Sequence, residues 1–105
     1  MRDTSIYPAI LSYMENGIPI EFPDLPGCLP CAGTPDEAAR NAKEAMGLHL
    51  WGMEKDNDPI PEPTGIAGLK HPGSGMLLLV EVFMPPVRDR FNNIFFKRRY
   101  LYPNG

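Results

Sequence analysis

The residues best suited to chemistry are two cysteines, Cys28 and Cys31, separated by Leu29 and Pro30. A working redox CxxC motif needs its first thiol at a helix N-terminus, which lowers the pKa of that thiol. Here the predicted helix begins several residues later. Zinc would need two further ligands, and the two histidines lack paired spacing. We therefore expect reduced thiols that pack in a strand, with redox or metal chemistry as the alternative.

The histidines and carboxylates give weak catalytic signals. His49 falls in an apolar helix stripe, where a lone histidine is usually a core residue, and His71 falls in a glycine-rich linker. Four acids cluster in sequence around the PDLPG turn and the predicted start of the helix, and the alternative for them is a magnesium site of a nuclease. Two of them have simpler roles in capping the helix and facing its dipole. We expect no catalytic residue, no metal and no cofactor. The four acids are Glu21, Asp24, Asp36 and Glu37.

Local patterns predict three strands, a helix and a fourth strand in chain order. Asn16-Gly17 is typical of a hairpin between two alternating segments. Thr34, Pro35 and Glu37 together predict a capped helix from residue 35 to about residue 55. A near-continuous apolar run after a proline- and glycine-rich linker predicts a deeply buried strand. The predicted strands cover residues 6–14, 18–22, 28–32 and 76–84, and the linker covers residues 59–75.

These elements predict an α+β fold in one small domain. We expect a mostly antiparallel sheet of three to four strands, in the order β-β-β-α-β, with one helix packed on one face. Residues 1–86 form this domain. Residues 87–105 alternate in polarity after Pro85-Pro86 and are predicted to form an extended basic strand.

Charge is divided unevenly along the chain. The net charge is −3, but residues 1–86 hold twelve acidic and five basic side chains, a net charge of −7, and residues 87–105 carry +4. An acidic body attracts a basic partner, and a basic tail attracts a polyanion. No apolar run is long enough to span a membrane and no secretory signal is visible, so we expect a soluble cytoplasmic protein.

Four motifs follow one another along the chain: YPAI at residues 7–10, EFPDLPGC at 21–28, GTPDEAARNAKEAMGLHL at 33–50 and PIPEP at 59–63. Their order and spacing resemble those of the HicB family of antitoxins. The resemblance implies a partial RNase H-like fold without the nuclease carboxylates, in a non-enzymatic protein. It also implies a partner, a small toxin ribonuclease called HicA, which the antitoxin binds and blocks by steric and electrostatic occlusion.

HicB-like antitoxins often carry a C-terminal DNA-binding module that represses their own operon. Residues 87–105 are similar to the basic strand that leads into a ribbon-helix-helix module, and the sequence stops where its first helix should begin, so we expect a truncated module. We also expect self-association, because such a ribbon needs a partner to bury Phe95 or Phe96. A DNA-binding regulator acting through this strand and a solitary RNase H-like domain are the alternative functions. The candidate residues for DNA binding or oligomerisation are Phe95, Phe96, Lys97, Arg98, Arg99 and Tyr100.

Four residues are candidates for binding the toxin: Glu21, Asp24, Glu44 and Trp51. Asp24 lies in the PDLPG turn, where its role is either to shape the turn or to face basic groups of the toxin. Trp51 is predicted on the polar side of the helix. It is either an interface anchor or is covered by the linker.

Overall fold

The computed structural model describes residues 2–65, 68 and 75–101, with the side chains of the last helix described through residue 93. Four strands form one sheet in the order β3-β2-β1-β4, and every neighbouring pair is antiparallel. The predicted α+β class and the β-β-β-α-β order are confirmed. The elements are β1 (Thr4–Ser12), β2 (Ile18–Glu21), β3 (Cys31–Ala32), α1 (Pro35–Lys55), β4 (Gly75–Phe83) and α2 (Met84–Leu101).

The predicted hairpin joins β1 to β2. Met14 and Gly17 exchange both of their backbone hydrogen bonds, at 3.0 and 3.3 Å, across the Glu15-Asn16 turn. Gly17 has φ +140°, and a β-carbon there would lie 3.1 Å from the carbonyl oxygen of Ala32. Glycine is therefore required both by the turn and by the close approach of β3.

The longest pairing in the sheet joins β1 to β4. All nine residues of β1 are paired with the nine of β4, from Thr4 opposite Phe83 to Ser12 opposite Gly75. β1 also pairs with β2 on its other side. The first strand in sequence is therefore central, and the fourth lies at the edge of the described sheet.

Helix α1 has the start that the sequence predicts. Thr34 is extended, and its side-chain oxygen accepts a hydrogen bond from the Glu37 amide at 3.2 Å. The Glu37 carboxylate in turn accepts from the Gly33 amide at 3.1 Å. These bonds satisfy amides that have no acceptor within the helix. Pro35 begins the first turn and has no amide hydrogen, so it needs no acceptor.

The core lies between α1 and one face of the sheet. Ala38 and Ala42 are fully buried, so their small side chains allow the helix to approach the strands closely. Tyr7, Ile20 and Met46 fill the space between the two layers and are nearly inaccessible. No helix of the described residues is long and apolar enough to cross a membrane.

The prediction that the apolar β4 run is deeply buried is wrong. Only Val80 and Val82 of this strand are buried, whereas Leu79 and Phe83 on the opposite face are each more than half exposed, as is Met76 at the start of the strand. α1 covers one face of the sheet, and β4 is an outer strand. The apolar side chains on its other face therefore have no helix above them in the described structure.

The predicted extended basic strand over residues 87–105 is also wrong, because α2 runs from Met84 to Leu101. Pro85 and Pro86 stop the strand, but they also suit the first turn of a helix, where no amide donor is needed. Val87 and Phe91, one helical turn apart, are half-buried against the core cluster. The expected boundary after residue 86 thus falls within the first turn of α2.

Candidate protein-binding surface

One face of the sheet is turned away from α1, and we call it the open face. Side chains alternate along a strand, so the residues of β1 and β4 that do not face α1 lie together on this side. The pairing places Ile6 opposite Glu81 and Ile10 opposite Glu21. The register places on this face Thr4, Ile6, Ile10, Glu21, Leu77, Leu79, Glu81 and Phe83, together with Pro8, whose side chain is nearly inaccessible.

The open face combines an apolar centre with acidic borders. Ile6 is 41%, Leu79 51% and Phe83 56% exposed. Glu21 and Glu81 are exposed at the two sides of this apolar area, on β2 and β4, and none of the open-face residues is basic. Exposed apolar side chains that share a face with charges of one sign are typical of a site that binds a protein of the opposite charge.

Trp51 does not lie on a polar helix face. It is only 9% exposed, and its ring centroid lies 5.4 Å from that of Phe91 on α2. Its Nε1 donates to Oδ1 of Asn92 at 3.3 Å, and Lys55 lies over the ring. The sequence offered the linker or a partner protein as the cover for this side chain, whereas the structure places α2 there.

Asp24 holds the linker to the turn after β2. Its carboxylate accepts hydrogen bonds from the amide and the hydroxyl of Thr64, at 2.9 and 2.5 Å. Tyr7 donates its hydroxyl hydrogen to the carbonyl oxygen of Pro61, and its burial raises its pKa. The carboxylate of Asp24 is thus engaged within the chain, in agreement with the structural role for this turn.

Glu44 is exposed on α1, on the opposite side of the sheet from Glu21. It lies at the rim of a groove between α1 and α2, together with Arg40, Lys43 and Arg90. The four candidate toxin-binding residues are therefore not brought together. Glu21 is on the open face, Asp24 is bonded to the linker, Trp51 is beneath α2, and Glu44 borders a largely basic groove.

Arg88 organises a cluster that the sequence analysis missed. Its guanidinium makes two hydrogen bonds to the carboxylate of Glu54, both 2.9 Å, and a third of 2.9 Å to Asp3. It also donates to the carbonyl oxygen of Arg2. The bonds to Glu54 are the main cause that raises the pKa of Arg88 above its usual value. This cluster joins α2 to α1 and to the start of β1.

The two cysteines occupy different environments. Cys28 is buried, and this burial raises the pKa of its thiol to about 11, whereas Cys31 is exposed on β3. α1 begins only at Pro35, so neither thiol lies at the helix N-terminus that lowers a cysteine pKa. The prediction of two thiols packed in a strand over residues 28–32 is therefore wrong, because Cys28 is buried but precedes β3, and Cys31 lies in β3 but is exposed.

The structure describes only the backbone of the residues predicted to bind DNA or to mediate oligomerisation. The backbone of α2 carries Phe95, Phe96, Lys97, Arg98, Arg99 and Tyr100, but their side chains are outside the described residues, as is His71. Among the side chains that are described, no group of three or more His, Cys, Asp or Glu residues is arranged to hold a metal ion.

The fold agrees with the comparisons with known proteins. The sequence model of a family described as the HicB-like antitoxin of bacterial toxin–antitoxin systems matches residues 7–95. The match covers most of the chain, so the protein belongs to the HicB-like antitoxin family.

One curated protein of similar sequence comes from a bacteriophage. An uncharacterised 14.9 kDa protein from the rep-hol intergenic region of Haemophilus phage HP1 (strain HP1c1) is 36% identical over 61 residues, which are 58% of this chain and 46% of the phage protein. The chain thus spans about half the length of this curated relative.

Two solved toxin–antitoxin complexes contain chains of similar structure. A chain of the HicA3 and HicB3 complex is 29% identical, with a TM-score of 0.60, and the match covers 74% of this chain and 98% of that one. A toxin–antitoxin complex from Streptococcus pneumoniae contains a chain that is 15% identical, with a TM-score of 0.68 and 88% of each chain covered. The second likeness shows the shared fold alone.

Proposed function

We propose that this protein neutralises a HicA-type, mRNA-cleaving toxin by covering it with the open face, without chemistry of its own. Membership of the HicB-like antitoxin family supports the inhibitory role. The complex of HicA3 and HicB3, with its 29% identical chain, supports a HicA-type partner. The single observation that carries the docking surface is the set of exposed apolar side chains, Ile6, Leu79 and Phe83, on the same face of the sheet as Glu21 and Glu81.

Charge favours the open face over the groove between α1 and α2. A protein that binds RNA presents basic groups to the phosphates, so its RNA-binding surface is attracted to carboxylates. The groove exposes Arg40, Lys43 and Arg90 beside the single acid Glu44, and like charges at an interface are costly. Docking on the open face would place the apolar centre in contact and cover the cations that the toxin uses for RNA.

Co-expression with the HicA-type toxin of the neighbouring reading frame tests this proposal. The double variant Glu21→Lys, Glu81→Lys reverses both acidic borders, and we expect it to weaken the purified complex by about tenfold or more and to abolish growth rescue. Glu44→Lys is the matched control, with one of the same charge reversals on the other side of the sheet. It should leave both readouts near the wild-type value.

Two results would contradict the proposal. A loss of binding in Glu44→Lys with none in the double variant would move the docking surface to α1. Cleavage of RNA by the isolated chain, measured in the same preparations with and without magnesium, would replace inhibition by catalysis. Since the toxin acts on mRNA, the proposed site of action is the cytoplasm.

Binding to operator DNA is the second candidate function. It is supported by the composition of residues 87–105, which hold five basic side chains and one acidic side chain, with Lys97, Arg98 and Arg99 consecutive on α2. A polyanion bound through such residues releases counterions, so its affinity should fall steeply with salt. Titration of fluorescent operator DNA with wild-type protein and with the triple alanine variant of these residues tests this function. Equal affinity of the two proteins would exclude it.

A further inference from the structure

The outer edge of β4 lacks the features that normally protect an edge strand. In the described part of the chain, β4 pairs on one side with β1 and no strand pairs along its other side. Soluble proteins protect such edges with short strands, prolines, lysines or bulges. β4 has nine residues, GMLLLVEVF, with no proline, no lysine and one charged residue, Glu81. An edge of this kind is suited to pairing with another strand.

The hydrogen-bond pattern of the sheet identifies the residues whose backbone groups point outward. In an antiparallel ladder, opposed residues alternate between those that exchange two hydrogen bonds and those that exchange none. Met14 and Gly17 exchange both bonds, and the same register places Ile10 in a bonded position toward Glu21 of β2. Ile10 is therefore in a non-bonded position toward Leu77, its partner on β4.

Proline gives an independent check of this alternation. Pro8 is paired with Leu79 of β4 and has no amide hydrogen to donate. A position that exchanges no hydrogen bonds with β4 is therefore compatible with proline. Since Leu77 and Leu79 do not bond to β1, their N–H and C=O groups point to the outer edge, together with those of Glu81, Phe83 and Gly75. The residues between them use their backbone groups to pair with β1.

We propose that β4 pairs antiparallel with β4 of a second copy of this chain, which joins two sheets into one of eight strands with Leu79 on the two-fold axis. This register uses the full length of both strands and pairs all the outward-pointing residues, which gives about ten backbone hydrogen bonds between the copies. It places Leu79 opposite Leu79, Leu77 opposite Glu81, Gly75 opposite Phe83, Met76 opposite Val82 and Leu78 opposite Val80.

The side chains of β4 are compatible with this self-pairing. The two Glu81 carboxylates lie on opposite sides of the axis, roughly 13 Å apart along the strands, so their repulsion is largely screened. Each Phe83 ring can cover the exposed backbone of the partner's Gly75, an arrangement known to stabilise glycine at a strand edge. No pair in this register opposes two like charges, and this self-complementarity favours a second copy over an unrelated strand.

The size of the contact predicts a weak dimer. A nine-residue strand is about 30 Å long and a sheet about 10 Å thick, so each copy buries on the order of 300 Å² at the edge. Stable complexes bury about 800 Å² from each partner. We therefore expect a dissociation constant on the order of 10–100 µM, with dimer formation that depends on concentration.

Two lysine variants of β4 test the register by sedimentation velocity over a range of concentrations. Leu79→Lys places like charges directly opposite each other across the axis, and it should weaken dimerisation at least tenfold. Leu77→Lys adds the same charge to the same face of the same strand, but places it opposite Glu81 of the partner subunit. It should dimerise at least as well as wild type. Circular dichroism melts of both variants establish that the chains remain folded.

Hydrogen exchange of the wild-type chain gives a second measurement that does not depend on substitution. The amides of Leu77, Leu79 and Glu81 should exchange rapidly in dilute protein and slowly at concentrations that favour the dimer. The amides of Leu78 and Val80 should be protected at both concentrations, because they bond to β1.

Three results would overturn the proposal. One is a wild-type chain that stays monomeric tenfold above the expected range. Another is equal weakening by the two lysine variants, which would indicate association through apolar surface rather than through this register. The third is an exchange rate of the odd-numbered amides that does not change with concentration. All of these measurements are made without a toxin, so failure of the toxin-binding proposal leaves them unaffected.

Discussion

Arg88 is the residue whose removal should most affect how α2 is held. Its side chain is 19% exposed and that of Glu54 10%, so their two hydrogen bonds are largely shielded from water. We expect Arg88→Met to lower the free energy of unfolding by about 2 kcal/mol, because the Glu54 carboxylate is left without its partner. Urea unfolding measures this, with the exposed Arg90→Met on the same helix as the control. Equal stability of the two variants would contradict it.

The two thiols should differ in reactivity. At mildly alkaline pH, Cys31 should react rapidly with a disulfide reagent because it is exposed, whereas Cys28 should react only when the chain opens, because it is buried and its pKa is about 11. Cys31→Ser should remove the fast phase and Cys28→Ser should leave it unchanged. Two thiols that react at the same rate in the folded protein would show that Cys28 is accessible.

Cys28 also gives a pH dependence of stability. The raised pKa means that the unfolded chain loses this proton first, near pH 9, while the folded chain retains it until about pH 11. The contribution of Cys28 to stability is therefore complete below pH 9 and is lost as the pH rises toward 11. In urea unfolding across this range, the wild-type chain should lose more stability than Cys28→Ser.

At the level of elements, the packing of α2 on α1 should be visible through Trp51, the only tryptophan of the chain. Phe91 contacts its ring, so Phe91→Ala should admit water and shift the tryptophan emission to longer wavelength. Stability should fall by roughly 1–3 kcal/mol, because Phe91 is only partly buried. Asn93→Ala, an exposed position on the same helix, is the control. An unchanged spectrum for Phe91→Ala would mean that α2 does not cover Trp51 in solution.

The elements fixed by local signals were predictable from the sequence. Thr34 with Glu37 marks the start of α1, and Asn16-Gly17 marks the hairpin, because in each case the interacting groups are close in sequence. α2 was not predictable in the same way, since Pro85-Pro86 can end a strand or begin a helix. The contact that favours the helix joins Phe91 to Trp51, which is distant in sequence.

The candidate surface was only partly predictable for a related reason. An apolar strand has the same sequence pattern whether it is central and covered on both faces or lies at an edge with one face free. Only the pairing of β4 with β1 shows which of these applies. Glu21 was a candidate by its charge, but its position opposite Ile10, on the same face as exposed Ile6 and Leu79, depends on the sheet order.

For the whole molecule, the acidic body predicts how toxin binding should respond to salt. Residues 1–86 carry a net charge of −7, which should accelerate the encounter with a basic toxin at low ionic strength. We expect the association rate constant to fall about tenfold or more between 50 mM and 500 mM salt, with a smaller change in the dissociation rate. Stopped-flow or surface-based kinetics measure both rates. An association rate independent of salt would show that the charge does not steer binding.

The pairing of β1 with β4 also determines when the chain can fold during its synthesis. Residues 4–12 leave the ribosome well before residues 75–83, and the helix and linker are made in between. At typical elongation rates this interval lasts on the order of 4–15 seconds, during which the central strand lacks its longest neighbour. The nascent chain is then most open to chaperones and proteases, so the supply of finished protein depends on how quickly residues 13–83 are translated.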